Sequence, residues 1–130
     1  MRIYWINAFP KGNVAMMARP RGMDWLEDEI IKLKMQDVDV VVSLLERNEV
    51  LELGLRDEDK HCEQHGIHLI NYPIPDRGIP ADAHSFIQLV QQLSALLAQG
   101  QNIAVHCRLG IGRTGILCAA LLRQAGFPKK

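Results

Sequence analysis

The stretch VHCRLGIGRTG, residues 105–115, joins a short apolar run, NIAVH (102–106), to TGILCAALLRQAG (114–126). The run has the length of a buried strand, and the segment beyond is apolar on nearly every face, as in a central helix. Strand, glycine loop and helix in that order place residues 107–113 beyond a strand's carboxyl end and directly before a helix amino terminus. Unpaired amides converge there with a partial positive charge. Gly110 and Gly112 let the backbone curl with its N–H groups inward, and Arg113 adds a planar fork that holds two oxygens at once. Phosphate fits this cradle. The same field predicts a thiolate at Cys107, its pKa moved from about 8.5 into the range of roughly 3.5 to 7.5 of activated cysteines. A nucleophile then lies beneath a bound phosphoryl group.

Outward from the loop, strands and helices alternate. Phe86, Val90, Leu93 and Leu97 form a helical stripe that stops at Gly100, with Asp82 as its cap. PIPDRGIPAD (73–82), with three prolines and a glycine, reads as a stiffened loop, and IHLINYP (67–73) alternates like a strand. Residues 47–65 are charged and read as two short helices broken near Gly54. DVDVVVSLL (37–45) carries the valine run of a strand buried on both faces. Met23, Leu26, Ile30 and Leu33 give an amphipathic helix over 24–35 with Asp24 as cap, and RIYWI (2–6) and NVAMMA (13–18) read as a strand pair. The expectation is one domain over 1–130: α/β, with a central mixed, mostly parallel sheet of four to five strands flanked by helices.

Composition narrows the function. Fifteen Lys plus Arg balance fifteen Asp plus Glu, so there is no net field of the kind that nucleic-acid and membrane-surface binders carry. The start, MRIYWINAFPKG, places Asn7 and Pro10 where a secretory signal needs an unbroken apolar stretch. No apolar run has the length of a bilayer span. Three cysteines, Cys62, Cys107 and Cys118, with no CxxC pair, argue for reduced thiols rather than a disulfide scaffold. These features predict a cytoplasmic protein with no nucleic-acid or membrane partner.

Residues 106–115, His106-Cys107-Arg108-Leu109-Gly110-Ile111-Gly112-Arg113-Thr114-Gly115, resemble the HCxxGxGR[ST]G loop of the protein tyrosine phosphatase superfamily, its small dual-specificity branch in particular. PIPDRGIP resembles that family's general-acid loop, with Asp76 31 residues upstream of Cys107. The resemblance spans about residues 37–126. It implies one or two further helices beyond the last, where this sequence ends at FPKK. It also implies a metal-independent, cofactor-free phosphomonoester hydrolase working through a phosphocysteine: Cys107 the nucleophile, Asp76 the general acid, Arg113 and the amides of Arg108, Leu109, Gly110, Ile111 and Gly112 the phosphate ligands. Thr114 would assist the departing thiolate, and His106 would orient the loop and tune the thiol.

Other readings exist for several of these residues. Asp76 suits an Asx turn, Thr114 is a plain helix-start residue, and Cys118 suits packing as well as redox exchange with Cys107. His61, Cys62, His65 and His68 look like a metal cluster but fall across a helix end and a strand start, so no metal is expected. Leu109 and Ile111 inside the loop are apolar and match polyphosphorylated rings poorly. The expected partner is therefore a phosphorylated protein, phosphotyrosine first and phosphoserine or phosphothreonine as well, with free phosphate, sulfate or vanadate held by the same loop. A phosphoinositide or small-phosphoester phosphatase, a pseudophosphatase that only binds phosphate, and a thiol-dependent arsenate reductase are the alternatives. Arg77 and Ala18-Arg19-Pro20-Arg21 are candidates for the cleft rim.

Overall fold

The valine run becomes the centre of the sheet. In chain order the elements are β1 (Tyr4–Trp5), β2 (Val14–Met17), a 3-10 turn (Met23–Trp25), α1 (Leu26–Met35), β3 (Val40–Ser43), α2 (Arg47–Glu52), α3 (Glu58–Gln64), β4 (His68–Asn71), α4 (Ala83–Ala98), β5 (Ile103–His106) and α5 (Gly112–Gln124). The structure is a computed structural model, and it describes residues 3–76, 78–109 and 112–127. The sheet order is β1-β2-β5-β3-β4. Only β1–β2 is antiparallel; β2–β5, β5–β3 and β3–β4 are parallel. This is the five-stranded mixed sheet of an α/β fold.

Each face of the sheet buries its own apolar layer, which is why β3 carries apolar residues at successive positions. Val40 and Val42 join Val105, Leu93, Leu97, Leu117 and Leu121 on the side covered by α4 and α5. Val41 joins Ala104, Leu26, Ile30, Leu33 and Cys62 on the side covered by α1 and α3. The register then fixes the site: Ser43 pairs with Asn71 on one side and with His106 on the other, so β3, β4 and β5 end together at one edge. Ligand sites of open parallel sheets form beyond that edge.

Helix ends follow local chemistry with two departures from the sequence. Asp82 caps α4 as expected, accepting from the His84 N–H at 3.1 Å. Gly54, with φ of 71°, follows α2 and supplies the left-handed turn that separates it from α3. Asp24 does not cap α1; it lies inside the 3-10 turn, and Trp25 occupies the cap position without a side-chain bond. The last helix begins at Gly112, two residues ahead of the expected Thr114, so Arg113 sits within its first turn. Among the described residues no helix is long and apolar enough to cross a membrane.

Candidate active site

Beyond the carboxyl edge of β3, β4 and β5 lies an open cleft of about 430 Å³ lined by Asp76, Gly78, Cys107, Arg108, Leu109, Gly112, Arg113 and Ile116. The expected nucleophile, fork and acid are thus brought to one place from two distant stretches of chain. Gly110, Ile111 and Arg77 lie outside the described residues. Cys107 is buried and counted in the apolar layer under α4 and α5.

Arg113 is the most heavily bonded side chain of the site. Its Nη1 and Nη2 donate to Glu49 Oε1 and Oε2 at 2.6 and 2.9 Å, a bidentate pair. Nη1 also donates to the Ile74 carbonyl at 2.9 Å. Both partners are buried, with side-chain exposures of 3% for Arg113 and 5% for Glu49. The hydrogen bond to Arg113 holds the Glu49 carboxyl below its usual range, and the same bond raises Arg113. A guanidinium has five N–H groups. With two on Glu49 and one on Ile74, shared with the Leu44 carbonyl at 3.4 Å, the Nε–H and the second Nη2–H lie on one edge of the plane, spaced to meet two phosphate oxygens, with the Asp76 carboxyl 3.5 Å from Nη2.

Asp76 stands at the mouth of the cleft, its carboxyl exposed and 3.5 Å from Arg113 Nη2. It is held there by its loop. Ile74 is fully buried and its N–H donates to the Leu44 carbonyl at 3.0 Å, while the Gly78 N–H closes a turn onto the Pro75 carbonyl at 2.8 Å. Asp76 occupies the tip of that turn. Asp82, the other acid of the loop, is engaged as the cap of α4. The Arg108 side chain turns to Glu52, 2.9 Å away, leaving its backbone to the loop. Leu109 projects at 78% exposure, and Ile116 adds a second apolar wall. Thr114 is fully buried, and its hydroxyl has no hydrogen-bond partner among the described residues.

The family model for the polymorphic toxin system DSP-PTPase phosphatases matches residues 15–126. The chain belongs to this family. It is 37% identical over 82 residues to tyrosine-protein phosphatase 1 of Caenorhabditis elegans, covering 59% of this chain and 8% of the relative. It is 27% identical over 97 residues to cyclin-dependent kinase inhibitor 3 of Rattus norvegicus, covering 75% of this chain and 45% of the relative. The chain thus spans less than half the length of either curated relative. Among solved structures, kinase-associated phosphatase, with serine substituted for its catalytic-site cysteine, superposes with a TM-score of 0.88 at 20% identity, covering 96% of this chain and 74% of the other. PTPMT1 gives a TM-score of 0.74 at 23% identity over 96% of this chain and 73% of the other. These likenesses show the fold.

Two acids of this DSP-PTPase site were not singled out by the sequence. Glu49 lies on α2 in a charge-rich stretch that reads as solvated surface. The available signal is its place, a few residues past the carboxyl end of the valine strand, where such sites form. Glu58, the first residue of α3, accepts or shares a proton with His106 Nε2 across 2.7 Å, and both side chains are buried, at 4% and 0% exposure. The other ring nitrogen of His106 faces the Cys107 carbonyl at 3.4 Å. Burial opposes charge on this imidazole, but the Glu58 carboxylate and its hydrogen bond outweigh it, and the His106 pKa is raised.

The remaining candidates take other positions. Burial, with the charge of Cys107 adding to it, pushes the Cys118 thiol up to about 12, which leaves it a neutral packing group at neutral pH. Cys62 is likewise raised to about 12 and packs under α1. His65 pairs with Glu27 at 3.0 Å and His68 is exposed, so the histidine-rich stretch is spread over separate surroundings. Arg21 donates to Glu29 and lies over the Trp25 ring at 4.6 Å, and neither it nor Arg19 lines the cleft.

Proposed function

We propose that this chain is a cysteine-dependent phosphomonoester hydrolase acting on phosphotyrosine, and also on phosphoserine and phosphothreonine, of proteins in the cytoplasm. The observation that carries the reading is the convergence of Cys107, Arg113 and Asp76 on one open cleft. The Cys107 thiolate attacks phosphorus as the bond to the leaving oxygen breaks, and the Asp76 carboxyl gives that oxygen its proton. The Asp76 carboxylate then takes a proton from water, whose oxygen displaces the thiolate and releases inorganic phosphate. The remaining edge of Arg113 and the amides of residues 108–113 hold the equatorial oxygens, best in the transition state. The buried, unpartnered Thr114 hydroxyl is suited to steady the departing thiolate.

Protein monoesters suit the cleft walls. Leu109 and Ile116 are apolar, and the Arg108 side chain is drawn off to Glu52, so one phosphate on an aromatic ring finds partners where a second or third phosphate does not. PTPMT1, solved with PI(5)P, has the same fold, with a TM-score of 0.71 at 23% identity, covering 87% of this chain and 69% of the other. The deciding experiment therefore compares kcat/KM for phosphotyrosine peptides, phosphothreonine peptides and soluble phosphoinositides at one ionic strength. A clear advantage for any phosphoinositide overturns the assignment, and absence of turnover with all three leaves a phosphate-binding protein.

Asp76→Asn should lower turnover of alkyl phosphates by about 10²–10⁴-fold, the usual contribution of general acid catalysis. It should also remove the fall in rate at high pH that deprotonation of the acid imposes. Nitrophenyl phosphate, whose leaving group needs little protonation, should suffer less. Equal losses on the two substrates would place the acid elsewhere.

A further inference from the structure

We propose that Glu58 is a positioning residue for Cys107: from the opposite face of the sheet it keeps His106 a cation with a fixed ring, and that charge stabilises the thiolate. This inference rests on the cysteine chemistry proposed above but concerns a residue outside the cleft. Successive residues of a strand point to opposite faces. Val105 and Cys107 belong to the layer under α4 and α5, whereas Ala104 belongs to the layer under α1 and α3. His106 therefore turns away from α5 and meets Glu58 at the start of α3.

Stability does not account for the pair, because desolvation cancels most of the attraction of a buried salt bridge. Its consequence is where it puts a charge. An imidazole with no exposed surface is neutral unless a carboxylate faces it. With Glu58 at 2.7 Å, the ring holds a proton on each nitrogen, one toward Glu58 and one toward the Cys107 carbonyl 3.4 Å away. The pair is then a dipole whose positive end is the residue bonded to Cys107 and whose negative end is farther off. Removing it leaves the thiolate less stabilised, although a negative charge has been taken away.

The other charged groups near the pair are Arg47 on α2, Arg56 just ahead of α3 and Asp59 on α3, which line with Glu58 a cavity of about 250 Å³. Ser43 and Asn71 of the strand ends, uncharged, line it too. Cys62, one turn along α3, is a neutral thiol. Arg47, Arg56 and Asp59 are exposed, hence screened, and leave Glu58 the dominant charge on His106.

The test reads the thiolate directly. Alkylation of Cys107 by iodoacetamide, followed by peptide mass spectrometry across pH, should show its midpoint moved upward by about one unit in Glu58→Gln, which keeps the shape and the acceptor but loses the charge. Glu58→Asp should recover part of the shift. In a His106→Asn background, Glu58→Gln should cause no further change, since its effect passes through the ring. An unchanged midpoint in a folded Glu58→Gln, or an equal shift with and without His106, overturns the proposal. Should Glu58→Gln not fold, the wild-type protein decides: nitrogen NMR of the histidine rings, with His106 assigned by its loss in His106→Asn, should show an imidazolium at pH 7.5, and a neutral ring overturns the proposal. Neither readout needs a substrate, so a chain that hydrolyses nothing fails the functional reading without touching this one.

Discussion

Replacing Cys107 by serine should abolish turnover, by on the order of 10⁵-fold or more, while the cleft still takes phosphate or vanadate. The two halves of that outcome come from different atoms. In the proposed mechanism the nucleophile is the thiolate, and a serine hydroxyl in its place remains protonated at neutral pH, so the first displacement would have no anion to drive it. In the same proposed mechanism the anion is held by backbone N–H groups and by Arg113, and none of these depends on sulfur. Cys107 is 3% exposed and packed in the layer with Leu117 and Val105, so the smaller serine enters without overpacking. Phosphate release from a phosphotyrosine peptide and calorimetric titration with vanadate, on the same preparation, check both halves. Retained turnover would remove Cys107 from the mechanism; loss of vanadate binding as well would mean that the loop had collapsed.

The strand and the helix that flank Cys107 were legible because their signals are local. A buried apolar run on one side and a long apolar helical stretch on the other need no knowledge of partners. The strand over 37–45 was legible in position but too long: Val38 and Leu45 are fully buried yet lie outside the β3 ladder, and Asp37 takes a φ of 67°. Apolar pattern reports burial, not hydrogen-bonded pairing, and the two separate at strand ends. For the same reason β1 is shorter than RIYWI, with Asn7 at φ 54° just beyond it. Asp24 resembled a cap by residue type, but a 3-10 turn preceding α1 moved the cap position to Trp25.

Glu49 and Glu58 were not legible, and the reason is again physical. Both belong to the charged stretch 47–65, where acids and bases are mostly solvated, and nothing local marks which acid turns inward. Their partners, Arg113 and His106, are 64 and 48 residues away. Only the register of β3 and β5, which brings Ser43 beside His106, places α2 and α3 against the loop. A sequence names the groups that do chemistry by their motif more readily than the groups that hold them, because holding depends on tertiary neighbours.

That dependence sets the expected result for Arg113→Lys, a loss of on the order of 10³-fold in kcat with a smaller change in phosphate affinity. Lysine keeps one positive charge, and charge alone attracts an anion into the loop. What it lacks is the division of labour open to the guanidinium, which spends one edge on Glu49 and a further N–H on the Ile74 carbonyl and, in the proposed mechanism, turns the Nε and Nη2 edge to phosphate. An ammonium offers three N–H groups from one point and cannot satisfy a buried carboxylate, a carbonyl and two phosphate oxygens together. In the transition state the equatorial oxygens spread and demand the bidentate edge most, so the defect falls on kcat rather than on binding. Glu49→Gln should act in the same direction by a smaller factor, since the guanidinium keeps its fork but is held by a neutral amide. Glu49→Ala leaves Arg113 buried without its partner and should also destabilise the fold by about 3–5 kcal/mol. Turnover, vanadate titration and thermal melts on the three variants check the series: an Arg113→Lys enzyme with near-normal kcat would mean that charge suffices and that the geometry of the Arg113–Glu49 clamp is not what the reaction uses.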